Sequence, residues 1–483
     1  MSPADRGRIP PTPQKRLGTS TKCQGTPHRL DLHRRSECAE IPVSPHPLTG
    51  TRTTCERCAV DSPQLCPPPN CDYDGSMFDP MRNQDLVVAD LFCGAGGLSH
   101  GFQRAGFQVS FAADCNPAAL ETYRANFSHK ASSVDLARPI EIPRADVVVG
   151  GPPCQGFSSA GARRADDHRN SLVSSFAEII VKTMPSAFVF ENVEGFLTGE
   201  GGARVIDLLS PLLKAGYRIH LRKVNAANYG VPQHRKRVIG IGGLGWDPSF
   251  PQPTHTAFGA PGALLASRHL PLTPSVRQAL SGLDRPSIEP PGLPQGHFFK
   301  PLSGIDLERA ESLGPGMTMR DLPDDLHHES YKRRANRRVM DGTPTERRGG
   351  APAGVRRLHP DEPSKAITGG ARSEFLHPIE DRNLTIRECA RLQTFPDDFT
   401  FCGSTSEQIQ LIGNAVPPLL ANQIAKSLAR DLAQEQRFHD AGALLSFVPT
   451  LSDGYSPILR SVIETVNREL KEFRQPEEML LWQ

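Results

Sequence analysis

"DLVVADLFCGAGGLSHGF", residues 85–102, decides how the rest of the chain is read. Its first eight residues form an apolar run of strand length. Gly94, Gly96 and Gly97 follow, and then a helix-like stretch from about 98 to 105. A strand that empties into glycines and then a helix lets backbone approach a nucleotide-like ligand, because glycine has no Cβ to block contact. The next apolar run, "FQVSFAAD" (107–114), ends in Asp114. An acid at that point typically accepts hydrogen bonds from ribose hydroxyls. The dinucleotide fingerprint fails, because the third glycine position, counted from Gly94 and Gly96, is Ser99. A nicotinamide site is therefore disfavoured, and an adenosine-type ligand without a pyrophosphate fits. The bland alternative is a tight turn with no ligand.

Outward from this stretch, strands and helices alternate. "NPAALETYRANF" reads as a helix with proline near its first turn. "ADVVVGG" (145–151) reads as a strand, "NSLVSSFAEIIVKTM" (170–184) as a helix and "AFVFENV" (187–193) as a strand. "ARVIDLLSPLLKAG" is a further helix, and "YRIHLRKVNAANYG" and "RKRVIGIGG" are two more strands. Such alternation predicts an α/β fold with a parallel, doubly wound sheet. Residues 85–245 form this unit. Residues 246–383 are rich in Pro, Gly and His and read as a smaller, irregular domain or insertion. Periodic structure returns over 384–433 with "LTIRECARLQTF" and "SEQIQLIGNAVPPLLANQIAKSLARDLAQ". The tail, 434–483, offers one amphipathic segment, "SPILRSVIETVNRELKEF", and its role is open.

The 483 residues allow two or three domains, and 37% hydrophobic with 22% charged residues reads as a soluble protein. A net charge of +2 means that any nucleic-acid surface must be local. Residues 329–357 supply one: Lys332, Arg333, Arg334, Arg337, Arg338, Arg347, Arg348, Arg356 and Arg357 stand against three acids. No run of about 18 apolar residues suggests a membrane span, and no secretory signal is evident. The 11 cysteines are scattered, and Cys93, Cys115 and Cys389 lie in apparent core elements. Free thiols and a cytoplasmic location are expected. Thirteen of the first 80 residues are proline, and residues 1–80 read as a disordered extension. Met77 and Met81, just before the first strand, would serve as alternative starts. Cys55, Cys58, Cys66 and Cys71 offer a zinc-knuckle composition. The spacing of the second pair and the adjacent prolines fit an unstructured segment better, and no metal is expected.

Cys154, in "GGPPCQGFS" (150–158), sits just past the end of a strand, where open α/β sheets bind ligands. Pro152 and Pro153 restrict the loop and would hold a nucleophile in place. The alternative is an inert core thiol. Glu191, in "FENVEG", ends another apolar run and suits proton donation to a ring nitrogen; otherwise it is a loop or capping acid. Arg235 and Arg237 alternate in "QHRKRV" and so share one face of an extended segment. Guanidinium forks suit carbonyl and phosphate oxygens, unless this is a solvated edge.

These stretches, in this order, resemble the cytosine-C5 DNA methyltransferase family, in its bacterial restriction–modification form. "DLFCGAGG" resembles the motif that holds S-adenosylmethionine, and "GGPPCQGFS" the catalytic proline–cysteine motif. "ENVEG" and "QHRKRV" resemble the acid and arginine motifs. "LTIRECARLQTFPDDF" (384–399) resembles the motif that packs the two domains together, and "GNAVPP" (413–418) the last motif, which completes the cofactor pocket. The resemblance implies a Rossmann-like domain with a smaller target-recognition domain where the loose, basic segment lies. It implies that the Cys154 thiolate attacks C6 of a flipped-out cytosine. Glu191 would bond N3 and the exocyclic amine, Arg237 would contact O2, and Arg235 would help order the site. Phe92, Gly94, Gly96 and Gly97 would line the cofactor. Asp114 would bind the ribose, although glutamate is usual there. Asp135 would approach the adenine, and Asn414 with Val416 would close the methionine end. The nine basic residues would contact DNA. The partners implied are double-stranded DNA and a restriction endonuclease acting separately, with the enzyme a monomer. Two other readings remain open. One is methylation of transfer RNA, disfavoured by the long basic segment. The other is a non-catalytic DNA-binding relative, disfavoured by the intact Cys154, Glu191 and Arg237.

Overall fold

The computed structural model describes residues 86–129, 131–138, 140–153, 171–257, 269–290, 292, 294–332, 354–434, 442–449 and 456–473. The cysteines at 55, 58, 66 and 71 and Met77 and Met81 lie outside them, as do Cys154 and the basic positions 333, 334, 337, 338, 347 and 348.

Eight strands make the main sheet: β1 (Val87–Leu91), β2 (Gln108–Asp114), β3 (Ala131–Ser133), β4 (Val147–Gly150), β5 (Ala187–Asn192), β6 (Tyr217–Asn225), β7 (Lys236–Leu244) and β8 (Leu444–Val448). Their order is β8-β6-β7-β5-β4-β1-β2-β3. Only β7 runs against its neighbours. The central strands "VVADL" and "VVVG" are buried on both faces, as parallel strands covered by helices must be. Alternation divides their side chains between two cores: Val147 and Val149 face one, Val148 the other.

The first core lies under α1 (Gly97–Gln103), α2 (Pro117–Asn126) and α7 (Pro418–Ala433). The second lies under α3 (Ser171–Thr183), α4 (Ala203–Lys214) and α8 (Pro457–Glu469). Helices α5 (Ile386–Leu392) and α6 (Thr405–Asn414) begin at Thr385 and Ser404. Each of these residues closes a reciprocal capping box with a glutamate three positions on. Pro417 and Pro418 break the periodic stretch 405–433 into α6 and α7.

The chain goes outward from β1 to β2 and β3, then returns to β4 on β1's other side. This reversal of direction opens a crevice at the carboxyl ends of β1 and β4, the place where doubly wound sheets bind ligands. The described part of residues 246–383 holds short elements and a small apolar cluster of its own, around Ala310, Leu313, Met319 and Leu322. Three sequence expectations change. The segment read as strand to residue 230 leaves the sheet at Asn225, whose side chain accepts from Ala227 N at 3.2 Å and starts a 3-10 turn. The tail is part of the fold, because β8 pairs with β6 and α8 covers the second core. Cys93 and Cys389 are buried free thiols, but Cys115 is exposed, because it lies just past the end of β2.

Candidate active site

The glycine loop turns sharply where β1 ends. Phe92 (φ +58°), Gly94 (+54°) and Gly96 (+88°) are left-handed, which is costly for Phe92 and free for the glycines. A Cβ on Gly96 would lie 2.4 Å from the Phe127 ring. One on Gly97 would lie 2.2 Å from the Val416 carbonyl oxygen. The glycines therefore do two things: they bare the backbone and let α7 close on α1. Asn422 Nδ2 adds a bond to the Gly101 carbonyl at 3.1 Å.

Asp114, at the end of β2, accepts Gly94 N at 2.9 Å on one oxygen and Asn116 N at 2.8 Å on the other. Each oxygen retains a lone pair. On the neighbouring strand end, Val134 N donates to the Asp114 carbonyl. Asp135 follows, exposed and paired with Arg138 at 3.2 Å. Val416 is buried and Asn414 exposed on the turn that meets Gly97. Bared backbone, a carboxylate at the second strand end and a closing turn together fit an adenosine-type ligand.

Beside this loop, β4 ends at Gly150 and runs into Gly151, Pro152 and Pro153. Asn192, at the end of β5, donates to the Pro152 carbonyl at 3.0 Å and pins the turn. Glu191 is 7% exposed. Its Oε2 would lie 3.1 Å from a Cβ on Gly151, so a side chain there would crowd the carboxylate. Arg237 Nε stands 2.8 Å from Glu191 Oε1, an ionic contact without hydrogen-bond alignment. The structure thus brings Glu191 and Arg237 together against Gly151 at the strand ends, with Pro153 and Cys154 following along the chain.

Arg235 turns away from this cluster. It is fully buried, and its guanidinium donates to the carbonyls of Ile367, Gly413 and Ala415 at 2.8–2.9 Å. Burial disfavours its charge, which the three carbonyl dipoles offset. Gln233 completes the hub. Its amide donates to the Leu392 carbonyl and to Gln393 Oε1 and accepts from Ile367 N. Gln393 in turn donates to Ile412 and Ala415. Two glutamines and one arginine therefore knit three sequence motifs into one body.

Of the nine basic residues expected on DNA, three are described. Lys332 pairs with Glu329 at 3.3 Å, and Arg356 lies over the Phe375 ring at 5.8 Å. Arg357 departs from expectation. It is 5% exposed, and its guanidinium is spent on the carbonyls of Leu313, His377, Glu380 and Ala310 and on Asp381. No donor is left for a phosphate, so Arg357 is a structural clamp.

Sequence reasoning missed Asp90, Ser99, Gln233 and Gln393. Asp90 is wholly buried, and burial lifts its carboxyl to about 7. An acid inside an apolar run was the available signal. The glutamines carried none, because an amide's value here lies in long-range partners.

Comparison with known proteins agrees with this geometry. The family model for C-5 cytosine-specific DNA methylase matches residues 86–256 and 312–430. The chain is 36% identical over 358 residues to the Type II methyltransferase M1.HphI of Haemophilus parahaemolyticus, covering 71% of this chain and 87% of that protein. It is 33% identical over 431 residues to M.AgeI of Thalassovita gelatinovora, covering 71% and 99%. A solved E. coli prophage protein assigned as a DNA modification methyltransferase superposes with a TM-score of 0.54 at 27% identity, covering 72% of this chain and 100% of that one. Motif order, strand-end geometry and the extent of the match give one conclusion: the chain belongs to the C-5 cytosine-specific DNA methylase family and is a DNA cytosine-C5 methyltransferase.

Proposed function

We propose that the chain transfers the methyl group of S-adenosylmethionine to C5 of a cytosine turned out of double-stranded DNA, through a covalent bond from Cys154 to C6. The observation that supports this is the cluster where β4 and β5 end: Glu191 and Arg237 in contact, against the Gly151–Pro153 turn that leads to Cys154. Phe92, Gly94, Gly96 and Gly97 would hold the cofactor. Asp114 would take its ribose, Asp135 its adenine, and Asn414 with Val416 its methionine end. Bound there, S-adenosylmethionine supplies an electrophilic methyl group.

The chain's own residues do the rest. The Cys154 thiolate adds to C6, and the ring's electron pair moves to C5. Glu191 hydrogen-bonds N3 and the exocyclic amine, stabilising the charge that gathers on the ring. Arg237, held in place by Glu191, contacts O2. Arg235 orders the site from behind. After methylation a base takes the C5 proton, the C5–C6 double bond re-forms and the thiolate leaves. The target must leave the stack, because none of these contacts fits within a duplex. The basic segment containing Lys332, Arg333, Arg334, Arg337, Arg338, Arg347, Arg348 and Arg356 would track phosphates.

The relatives' designation as Type II methyltransferases supports a modification role beside a separate restriction endonuclease, and the chain would act as a monomer in the cytoplasm. The test is bisulfite sequencing of genomic DNA from a methylation-free host expressing the chain. Uniform protection of one cytosine in one short motif is expected, and Cys154→Ser should abolish it. No protected motif from soluble protein would overturn the DNA reading and direct the assay to transfer RNA.

A further inference from the structure

Helix α1 begins at Gly96, which has no side chain to cap the first turn. Glycine is required there by its left-handed backbone and the Phe127 ring. The cap comes instead from the neighbouring strand: Asp90 Oδ2 accepts Ser99 N at 3.1 Å and Ser99 Oγ at 2.6 Å. Ser99 N is one of the amides that an α-helix leaves unpaired at its start. Behind Ser99, Tyr123 OH donates to Ser99 Oγ at 2.6 Å and meets His129 Nε2 at 2.7 Å. Asp90 and Ser99 are fully buried, and His129 is half-buried at the far end.

Each hydroxyl in this row has one proton to give, so the whole row must point one way. With Asp90 ionised, His129 Nε2–H donates to Tyr123, Tyr123 to Ser99, and Ser99 to Asp90. With Asp90 protonated, every donor can reverse, and the row ends with Tyr123 donating to a bare His129 Nε2. The two ends are linked through Tyr123. The other titratable groups around Asp90 are Asp114 on β2, whose charge raises the cost of ionising it, and Cys93 in the loop, whose thiol is pushed up by burial and by Asp90 itself. From β4 the strand neighbour is the apolar Val149.

We propose that Tyr123 is a positioning residue for the cofactor: through Ser99 and Asp90 it fixes the first turn of α1 and the Phe92–Gly97 loop, and ties that loop to the protonation state of His129. It touches no reacting atom. The inference rests on the reading of this loop as the S-adenosylmethionine site.

The test uses the full chain and S-adenosylhomocysteine, titrated by calorimetry from about pH 6 to about pH 8.5. Tyr123→Phe should weaken binding about 5-fold, the worth of one buried hydrogen bond, and Ser99→Ala by about 10-fold or more. Turnover at saturating S-adenosylmethionine should stay within about twofold, so that KM moves and kcat does not. The wild-type affinity should show a step with pH. Tyr123→Phe should move the step upward, because the carboxylate loses part of its donor row. Unchanged affinity and pH profile in both variants, or a loss confined to kcat, would overturn the role of Tyr123. Failure of the wild-type chain to bind S-adenosylhomocysteine at any pH would instead overturn the cofactor reading, and this inference with it.

Discussion

Glu191 and Asp90 are both carboxylates at the end of a buried strand, and their surroundings give them different work. Glu191 keeps a cation at 2.8 Å and an edge of open space. Glu191→Gln removes the charge and keeps the shape. Turnover should fall about 100-fold or more, in the range of a lost acid–base or ring-stabilising contact, with S-adenosylhomocysteine binding unchanged. Single-turnover methylation beside calorimetry reads both, and equal rates would remove Glu191 from the chemistry. Among the described residues no cation pairs with Asp90, and burial lifts its carboxyl from the usual 3.8 to about 7. The folded state therefore holds this proton more tightly than the unfolded chain. Stability is lost as pH rises from about 4 to about 7 and is level above that, by up to about 4 kcal/mol. Asp90→Asn keeps an acceptor for Ser99 and should flatten this slope. Melting curves from about pH 5 to about pH 8 decide it, and identical slopes in both proteins would refute the assignment. Glu191 was legible in the sequence because it stands in a motif. Asp90 was not, because its importance comes from what surrounds it in three dimensions.

Helices and strands satisfy their own backbone, and irregular segments cannot. Between residues 295 and 415 the structure meets that shortage with buried arginines. Arg387 donates to the carbonyls of Gln295, Pro396 and Phe399. Arg357 clamps four carbonyls, and Arg235 three. This is why composition misled at Arg357: a fork suited to a phosphate is equally suited to a cluster of carbonyls. By contrast, the alternating strands and helices of the sheet were legible from residue 85 onward. Their apolar period is a local property of the chain, whereas a carbonyl clamp depends on partners up to 180 positions away. Arg357→Ala should destabilise the protein by about 3 kcal/mol or more, since several carbonyls lose their donor together. It should leave the salt dependence of DNA binding intact. A phosphate contact would behave the opposite way, with stability unchanged and the slope of log K against log salt reduced by about one.

At the scale of the molecule, the family match ends at residue 430, but the folded body does not. Strand β8 extends the sheet beyond β6 in register Leu444 to Arg218 through Val448 to Arg222. Leu445 and Phe447 point into the second core, and α8 with its C-cap residue adds Val462, Val466 and Leu470. Val462 also packs on Gly202, where a Cβ would come within 3.0 Å of it. Gly202 closes the left-handed turn Glu200–Gly202, which starts eight residues past the end of β5 at Asn192. The tail's amphipathic period was visible in the sequence, but its place was not, because a parallel partner more than 200 residues away leaves no local trace. Five buried apolar side chains at about 1.5–3 kcal/mol each represent gross burial of about 10 kcal/mol. That is as large as the whole stability of an ordinary domain. Ending the chain after residue 434 would leave every motif of the family in place and yet uncover this face of the second core. The expected result is a protein that is largely insoluble, or that melts well below the full chain, with methyl transfer lost through unfolding rather than chemistry. Adding residues 435–483 back as a separate polypeptide should restore part of the solubility. A truncated chain that is soluble, melts at the same temperature and methylates DNA at the full rate would show β8 and α8 to be ornaments on a complete fold.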